Sequence, residues 1–273
     1  MRRRRHSSLD FLLTALTWFG TLIMFAPIAW MILTSFKTEQ DAVSYPPKLL
    51  FAPTLDHYRR IFENDFVSFA TVSVMVTVIS TAIVILLAVP AAFALTVRPV
   101  SKWRDVLFFF ISTKMMPIAA GIVPIYLVAR TFDLLNTSTV LIILYTSMNL
   151  PLAIWMIRSF MVEIPRDVFD AVEVDGAGRI REMVQIIVPL IKPGLASTAL
   201  LCAIFSWNEF FLAVNLTTTV STLPVFLQKF LSFGQLYTAQ VAAVATLINV
   251  PVVVAGWLAQ KSLTRGLTFG AVK

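Results

Sequence analysis

Apolar stretches of membrane-spanning length dominate the chain, and short polar segments separate them. Runs with few charges fall at roughly 10–33, 68–95, 106–128, 139–157, 195–214 and 239–259, each close to the ~20 residues a helix needs to cross a bilayer. The pattern predicts six transmembrane helices and no soluble domain, so residues 1–273 read as one membrane domain. Pro27, Pro90, Pro117, Pro124, Pro151 and Pro251 fall within these runs or at their ends. Proline is tolerated there because neighbouring helices satisfy the freed carbonyls. In the segment between the first two runs, Asp56 to Phe62 predicts a short amphipathic helix with Leu55, Tyr58, Ile61 and Phe62 on one side. Such a helix either lies at the membrane interface or packs over the outer mouth of the bundle.

Composition supports a lipid-embedded chain. Hydrophobic residues make up 58% of it and charged residues only 14%, against about a quarter in soluble domains. The net charge of +7 could suggest nucleic acid, but the basic residues sit at the ends of the apolar runs, which suits lipid headgroups and orientation signals instead. Arg2 to Arg5, Arg98, Lys102, Arg104, Arg158, Arg166, Arg179, Arg181, Lys192, Lys261, Arg265 and Lys273 fall on one side, while Lys37, Lys48, Arg59, Arg60, Arg130 and Lys229 fall on the other. The richer side is cytoplasmic by the positive-inside rule, which predicts both termini there. The first apolar run is too long for a signal peptide and reads as an uncleaved helix. Cys202 is the only cysteine, so an intrachain disulfide is excluded.

The longest charged segment between apolar runs spans 160–193 and is assigned to the cytoplasmic side. Pro165 suits the first turn of a helix, and Asp167 and Asp170 suit the positive end of its dipole. Phe169, Val172 and Glu173 share a face. Phe169 is placed to fill a partner's pocket while Asp170 pairs with a partner's arginine. Gly176 and Gly178 permit a sharp turn, and a second helix, 179–188, leads back to the fifth run. The spacing predicts a helix–turn–helix knob; a solvated connection that touches nothing is the plainer alternative.

Within the runs, Trp207-Asn208-Glu209 and Lys114 are the polar residues of interest, because a charge inside a bilayer faces a cavity or a partner. Asn208 and Glu209 can bond hydroxyl-rich solutes with Trp207 stacking on them. They can equally hold helices together, with Lys114 as counter-ion. No P-loop, metal-ligand pair or catalytic triad pattern is present, and no metal site is expected.

The 160–193 segment resembles the EAA loop of binding-protein-dependent ABC importer permeases. That pattern is Glu-Ala-Ala, three residues, Gly, nine residues, Ile, one residue, Leu-Pro. Here Asp170-Ala171-Val172, Gly176, Ile186 and Val188-Pro189 stand at those spacings. Asp replaces Glu, and Val stands at 172 and 188. Asp175-Gly176-Ala177 matches the fuller form. The tail Arg265 to Lys273 and Trp207-Asn208-Glu209 are similar to maltose-type carbohydrate permeases. Ser112 to Met115, Pro193 to Ala199 and Gln260-Lys261 look most like the sorbitol/mannitol branch.

The resemblance implies an all-α membrane permease with a cytoplasmic coupling helix that docks on an ATPase. The coupling residues are then Phe169, Asp170, Ala171, Val172, Asp175, Gly176, Ala177, Ile186 and Pro189. The tail Gly270, Ala271, Val272 and Lys273 reaches the same ATPase pair. This chain binds no cofactor; ATP and magnesium belong to the ATPase dimer. A second, different permease subunit, an extracytoplasmic solute-binding protein and membrane lipids complete the partners, with no nucleic acid. The location implied is a bacterial cytoplasmic membrane. The rival readings are a self-contained secondary carrier or channel, which calls for internal repeats or ion sites, and an intramembrane enzyme.

Overall fold

The computed structural model describes residues 8–97, 100–231 and 237–268, and every regular element among them is helical. In chain order they are α1 (Ser8–Ser35), α2 (Glu39–Ala42), α3 (Asp56–Glu63), α4 (Phe66–Thr96) and α5 (Trp103–Met115), then a 3₁₀ turn at Ile118–Gly121, α6 (Ile122–Thr131) and α7 (Ser138–Val162). They continue as α8 (Arg166–Val174), α9 (Arg179–Leu190), α10 (Lys192–Trp207), α11 (Phe211–Leu216), α12 (Leu223–Leu231) and α13 (Thr238–Thr268). Among the described residues, four helices are long and apolar enough to span a bilayer: α1, α4, α7 and the 238–258 part of α13. Two more spans exist only as broken pairs, which brings the total to six if each pair counts once.

Both breaks have local causes. The expected third span, 106–128, stops at Met115 and turns by 89° before resuming. Met116 is extended (φ −73°, ψ 125°), the conformation that a following proline, here Pro117, imposes on its neighbour. The expected fifth span, 195–214, is shorter than its apolar run. α10 begins at Lys192 after an 81° bend from α9. The bend falls at Ile191, which leaves helical geometry (φ −93°, ψ 11°) two residues before Pro193. At the other end α10 stops at Trp207, and the chain re-enters helix only at Phe211.

The chain divides into two compact units, 66–226 with 251–273, and 1–65 with 227–250. The larger unit is built on α4, α7 and α10. Val84, Ala88, Ala92, Ala153, Ile154, Ile157, Met161 and Cys202 form one core, in which the alanines let helix backbones approach closely, as bilayer interfaces favour. Val76, Leu141, Tyr145, Leu212 and Leu216 form a second. Polar side chains stitch the same three helices. The fully buried Asn149 on α7 donates to Ser206 Oγ on α10 at 3.0 Å and to its own helix at Tyr145 O, also 3.0 Å. Ser206 Oγ in turn lies 3.4 Å from Ser80 Oγ on α4.

In the smaller unit, the chain leaves α1, loops outward and returns, so that Thr54 N–H donates to Phe36 O at 2.8 Å. The Lys37 ammonium is folded over the Trp30 ring, 4.2 Å from its centroid. α3 is amphipathic as expected, but it turns His57 and Ile61 inward and leaves Leu55 and Phe62 exposed. Tyr58 reaches Ser35 Oγ at 2.6 Å. Glu39 accepts the N–H groups of Ala239 and Gln240 at 2.9 and 3.0 Å, which caps the start of α13.

Candidate functional site

The helix–turn–helix knob forms as the spacing predicts. Pro165 occupies the position just before α8 rather than its first turn, with φ −57° and ψ 142°. α8 ends in a Schellman turn. Ala177 N–H bonds Val172 O at 3.3 Å, Gly176 N–H bonds Glu173 O at 3.2 Å, and Gly176 has φ +64°. That pattern calls for the left-handed conformation only glycine adopts cheaply. α9 then runs from Arg179 and contains a π-helical stretch, Glu182–Ile187. π-bulges insert one extra residue into a helix and recur at functional positions.

The turn divides the candidate coupling residues by direction. Val172 is buried, and Phe169 is half-buried against the chain's own core. The Phe169 ring, a candidate for a partner's pocket, packs in part against the chain's own core. Asp170, Ala171, Glu173, Asp175 and Gly176 are exposed, Ala177 is half-exposed, Ile186 is half-buried and Pro189 is exposed. Three apolar residues not singled out from the sequence stand free beside them: Val174 at 87% exposure, Ile180 at 77% and Val184 at 51%. They flank the turn and add an apolar surface to the acidic one. The signal was present, since Val174 follows Asp170 by four residues and is out of phase with the inward pair Phe169 and Val172.

At the base of the knob, Gly194 is buried against Phe160, and a Cβ added there would overlap the Phe160 ring. This close approach holds the first turn of α10 on α7. Knob and transmembrane helix meet at the 81° bend just before this contact. Gly270, Ala271, Val272 and Lys273 lie outside the described residues.

Of the two readings of the intramembrane candidates, the geometry favours the structural one. Trp207, Asn208 and Glu209 come together where α10 ends, not inside a continuous helix. Asn208 spends its amide on Ile204 O at 2.8 Å. The Glu209 carboxylate accepts the N–H groups of Leu212 and Ala213 at 2.9 and 3.2 Å, and Tyr145 Oη donates to the Glu209 carbonyl at 3.3 Å. Glu209 thus caps α11, satisfying two of the donors a helix start leaves open. Lys114 is not its counter-ion. The Lys114 ammonium lies 5.6 Å from the centroid of the Phe205 ring, and among the described residues it makes no ion pair with a carboxylate.

The described residues thus combine apolar, membrane-length helices with an exposed, charged helix–turn–helix segment. Residues 84–264 match the family described as binding-protein-dependent transport system inner membrane component, and the chain belongs to that family. It is therefore a multi-pass inner-membrane protein of a transport system. Over 252 residues it is 36% identical to a probable ABC transporter permease of Sinorhizobium fredii, covering 90% of each chain. It is 34% identical to a sulfoquinovosyl glycerol transport system permease of Agrobacterium fabrum, covering 90% of this chain and 88% of that one. Among solved structures, a bacterial ABC transporter involved in import of the acidic polysaccharide alginate shares the fold, with a TM-score of 0.75 at 22% identity over 96% of this chain and 98% of that one.

Proposed function

We propose that the chain is one permease subunit of an ATP-driven importer for a carbohydrate, and that residues 160–193 transmit force from a separate ATPase subunit. Family membership together with the ABC permease relatives supports the first half. The second rests on the knob itself, where exposed Asp170, Val174 and Ile180 surround a glycine-fixed turn and the base is locked to α7 at Gly194. An acidic residue ringed by apolar ones suits a groove with a basic group in it. Asp170 takes the glutamate's part with one methylene less reach. ATP and magnesium are held by the ATPase dimer, and its closure moves the knob and turns α10 against α4 and α7, alternating access between the two sides.

In this reading both termini are cytoplasmic, in line with the Lys and Arg distribution. The tail Gly270 to Lys273 also contacts the ATPase pair. A second, different permease subunit completes the pathway, and an extracytoplasmic solute-binding protein delivers the cargo. Carbohydrate cargo follows the relatives named above, and a polyol is the narrower form of the proposal. The bonds that Asn208 and Glu209 make within the chain favour a structural role for them over contact with the solute.

Affinity purification of the full chain from its native membrane tests the assembly. A separate ATP-binding subunit is expected to copurify, and uptake is expected to require ATP. ATP-independent uptake by this chain alone overturns the proposal in favour of a secondary carrier. Asp170→Lys reverses the charge at an exposed position, so it is expected to abolish uptake while membrane insertion and monodispersity persist; wild-type uptake by that variant removes the knob's coupling role. Binding of polyols and sugars to the cognate solute-binding protein fixes the cargo class.

A further inference from the structure

The end of the larger unit that carries the knob contains a cavity of about 440 Å³, bounded by the last turn of α4, the start of α5, the last turns of α7 and one wall of α8. Its polar character is unusual for a site at the end of apolar helices. The Arg158 guanidinium lies 4.6 Å from the centroid of the Trp103 ring, and Arg104 approaches the same ring at 5.3 Å. Among the described residues neither arginine pairs with a carboxylate. Asp170 and Glu173 stand on the α8 wall. Two buried polar atoms of cavity-lining residues, Arg158 Nε and Thr96 Oγ1, have no hydrogen-bond partner among the described residues.

Each observation asks for the same chemistry. Stacking on an indole satisfies the face of a guanidinium but leaves its edge, with its N–H donors, unused. Two cations drawn to one ring repel each other. A buried donor without an acceptor is costly. A compact anion with several acceptor oxygens answers all three, and the planar arginine fork matches phosphate geometry. The cavity also lies where α4 and α7 end and α5 begins, and basic pockets between the ends of membrane helices are known to take lipid headgroups.

We propose that this cavity binds a phosphate group, carried by an anionic phospholipid headgroup or arriving as free phosphate. Arg158 is its principal ligand, Thr96 Oγ1 a second donor, and Arg166 of α8 closes the mouth. Because the walls belong to both the helix ends and the knob, an occupied site braces α8 against α4 and α7. The proposal stands on this chain's own residues and is independent of the transport reading.

The test uses the purified full-length chain. Native mass spectrometry measures retention of phosphatidylglycerol against phosphatidylcholine, and equilibrium dialysis measures binding of inorganic phosphate. Arg158→Gln is expected to weaken the phosphate-bearing ligand by about tenfold or more, as loss of a charge-assisted contact does. Thr96→Val is expected to weaken it a few-fold, while Arg59→Gln, on exposed α3, changes nothing. A preference for phosphatidylglycerol that excess inorganic phosphate does not displace assigns the lipid as source. Arg158-dependent binding of inorganic phosphate without lipid preference assigns the free ion. If Arg158→Gln is not monodisperse, Arg158→Lys, which keeps the charge but loses the fork, reads the same contact. Wild-type protein that retains neither ligand, or variants at 158 and 96 that bind as wild type does, overturn the site.

Discussion

Replacing Glu209 separates a capping role from a transport role. In the wild type its two carboxylate oxygens hold Leu212 N–H at 2.9 Å and Ala213 N–H at 3.2 Å. Leu212 is 1% exposed and Ala213 fully buried, so water cannot replace the carboxylate. Glu209→Ala leaves two donors unsatisfied, at about 1–3 kcal/mol each. Removing a buried charge recovers some desolvation, so the net loss falls in the range of about 2–4 kcal/mol. Glu209→Gln keeps one acceptor oxygen and sets an NH₂ group against the other donor, for a loss of about 1–2 kcal/mol. Tyr145→Phe removes only the 3.3 Å bond to the Glu209 carbonyl, worth about 0.5–1 kcal/mol. Denaturation of the purified variants in mixed detergent micelles ranks them, with the order Ala, Gln, Phe and then wild type from least to most stable. Uptake should fall only as far as the folded population does. A Glu209→Gln protein as stable as wild type yet inactive in uptake refutes the capping account and returns the carboxylate to the pathway.

Gly176 holds φ +64°; Gly176→Val should cost roughly 1–3 kcal/mol locally and uncouple nucleotide hydrolysis from uptake in proteoliposomes, with insertion unchanged. Gly194→Ala drives a methyl into the Phe160 ring and should destabilise by about 1–3 kcal/mol, with Phe160→Leu in the same chain restoring part of the loss in a thermal-shift measurement. Asn149→Ala breaks the α7–α10 bridge at Ser206, and double-mutant cycles with Ser206→Ala should give a coupling near 0.6 and no more than about 1.7 kcal/mol.

The fold class was legible because bilayer solvation leaves few choices. Apolar runs of this length must become helices to satisfy their own backbone. The knob was legible for a similar reason: the residues of its Schellman turn, with Gly176 past the end of α8, are local signals. Each kind of information resides in contiguous residues, so each survives in the one-dimensional record.

What faces what was not so recorded. Phe169 and Val174 are both apolar residues of one short helix, yet one is packed on the core and the other is 87% exposed. Only the placement of α8 on the ends of α4 and α7 decides between them. Glu209 reads as an isolated intramembrane charge until the break after Trp207 puts the start of α11 within its reach. Lys114 reads from sequence as either a carboxylate's partner or a pathway residue, and only the placement of α5 sets it over Phe205. Sequence determined that this chain is an all-helical membrane component with a charged knob, because hydrophobicity and turn chemistry act through neighbours along the chain. Tertiary structure decided which polar groups are already satisfied and which, such as Arg158 Nε and Thr96 Oγ1, have no hydrogen-bond partner among the described residues, because desolvation and hydrogen bonding depend on residues far apart in sequence that packing brings together.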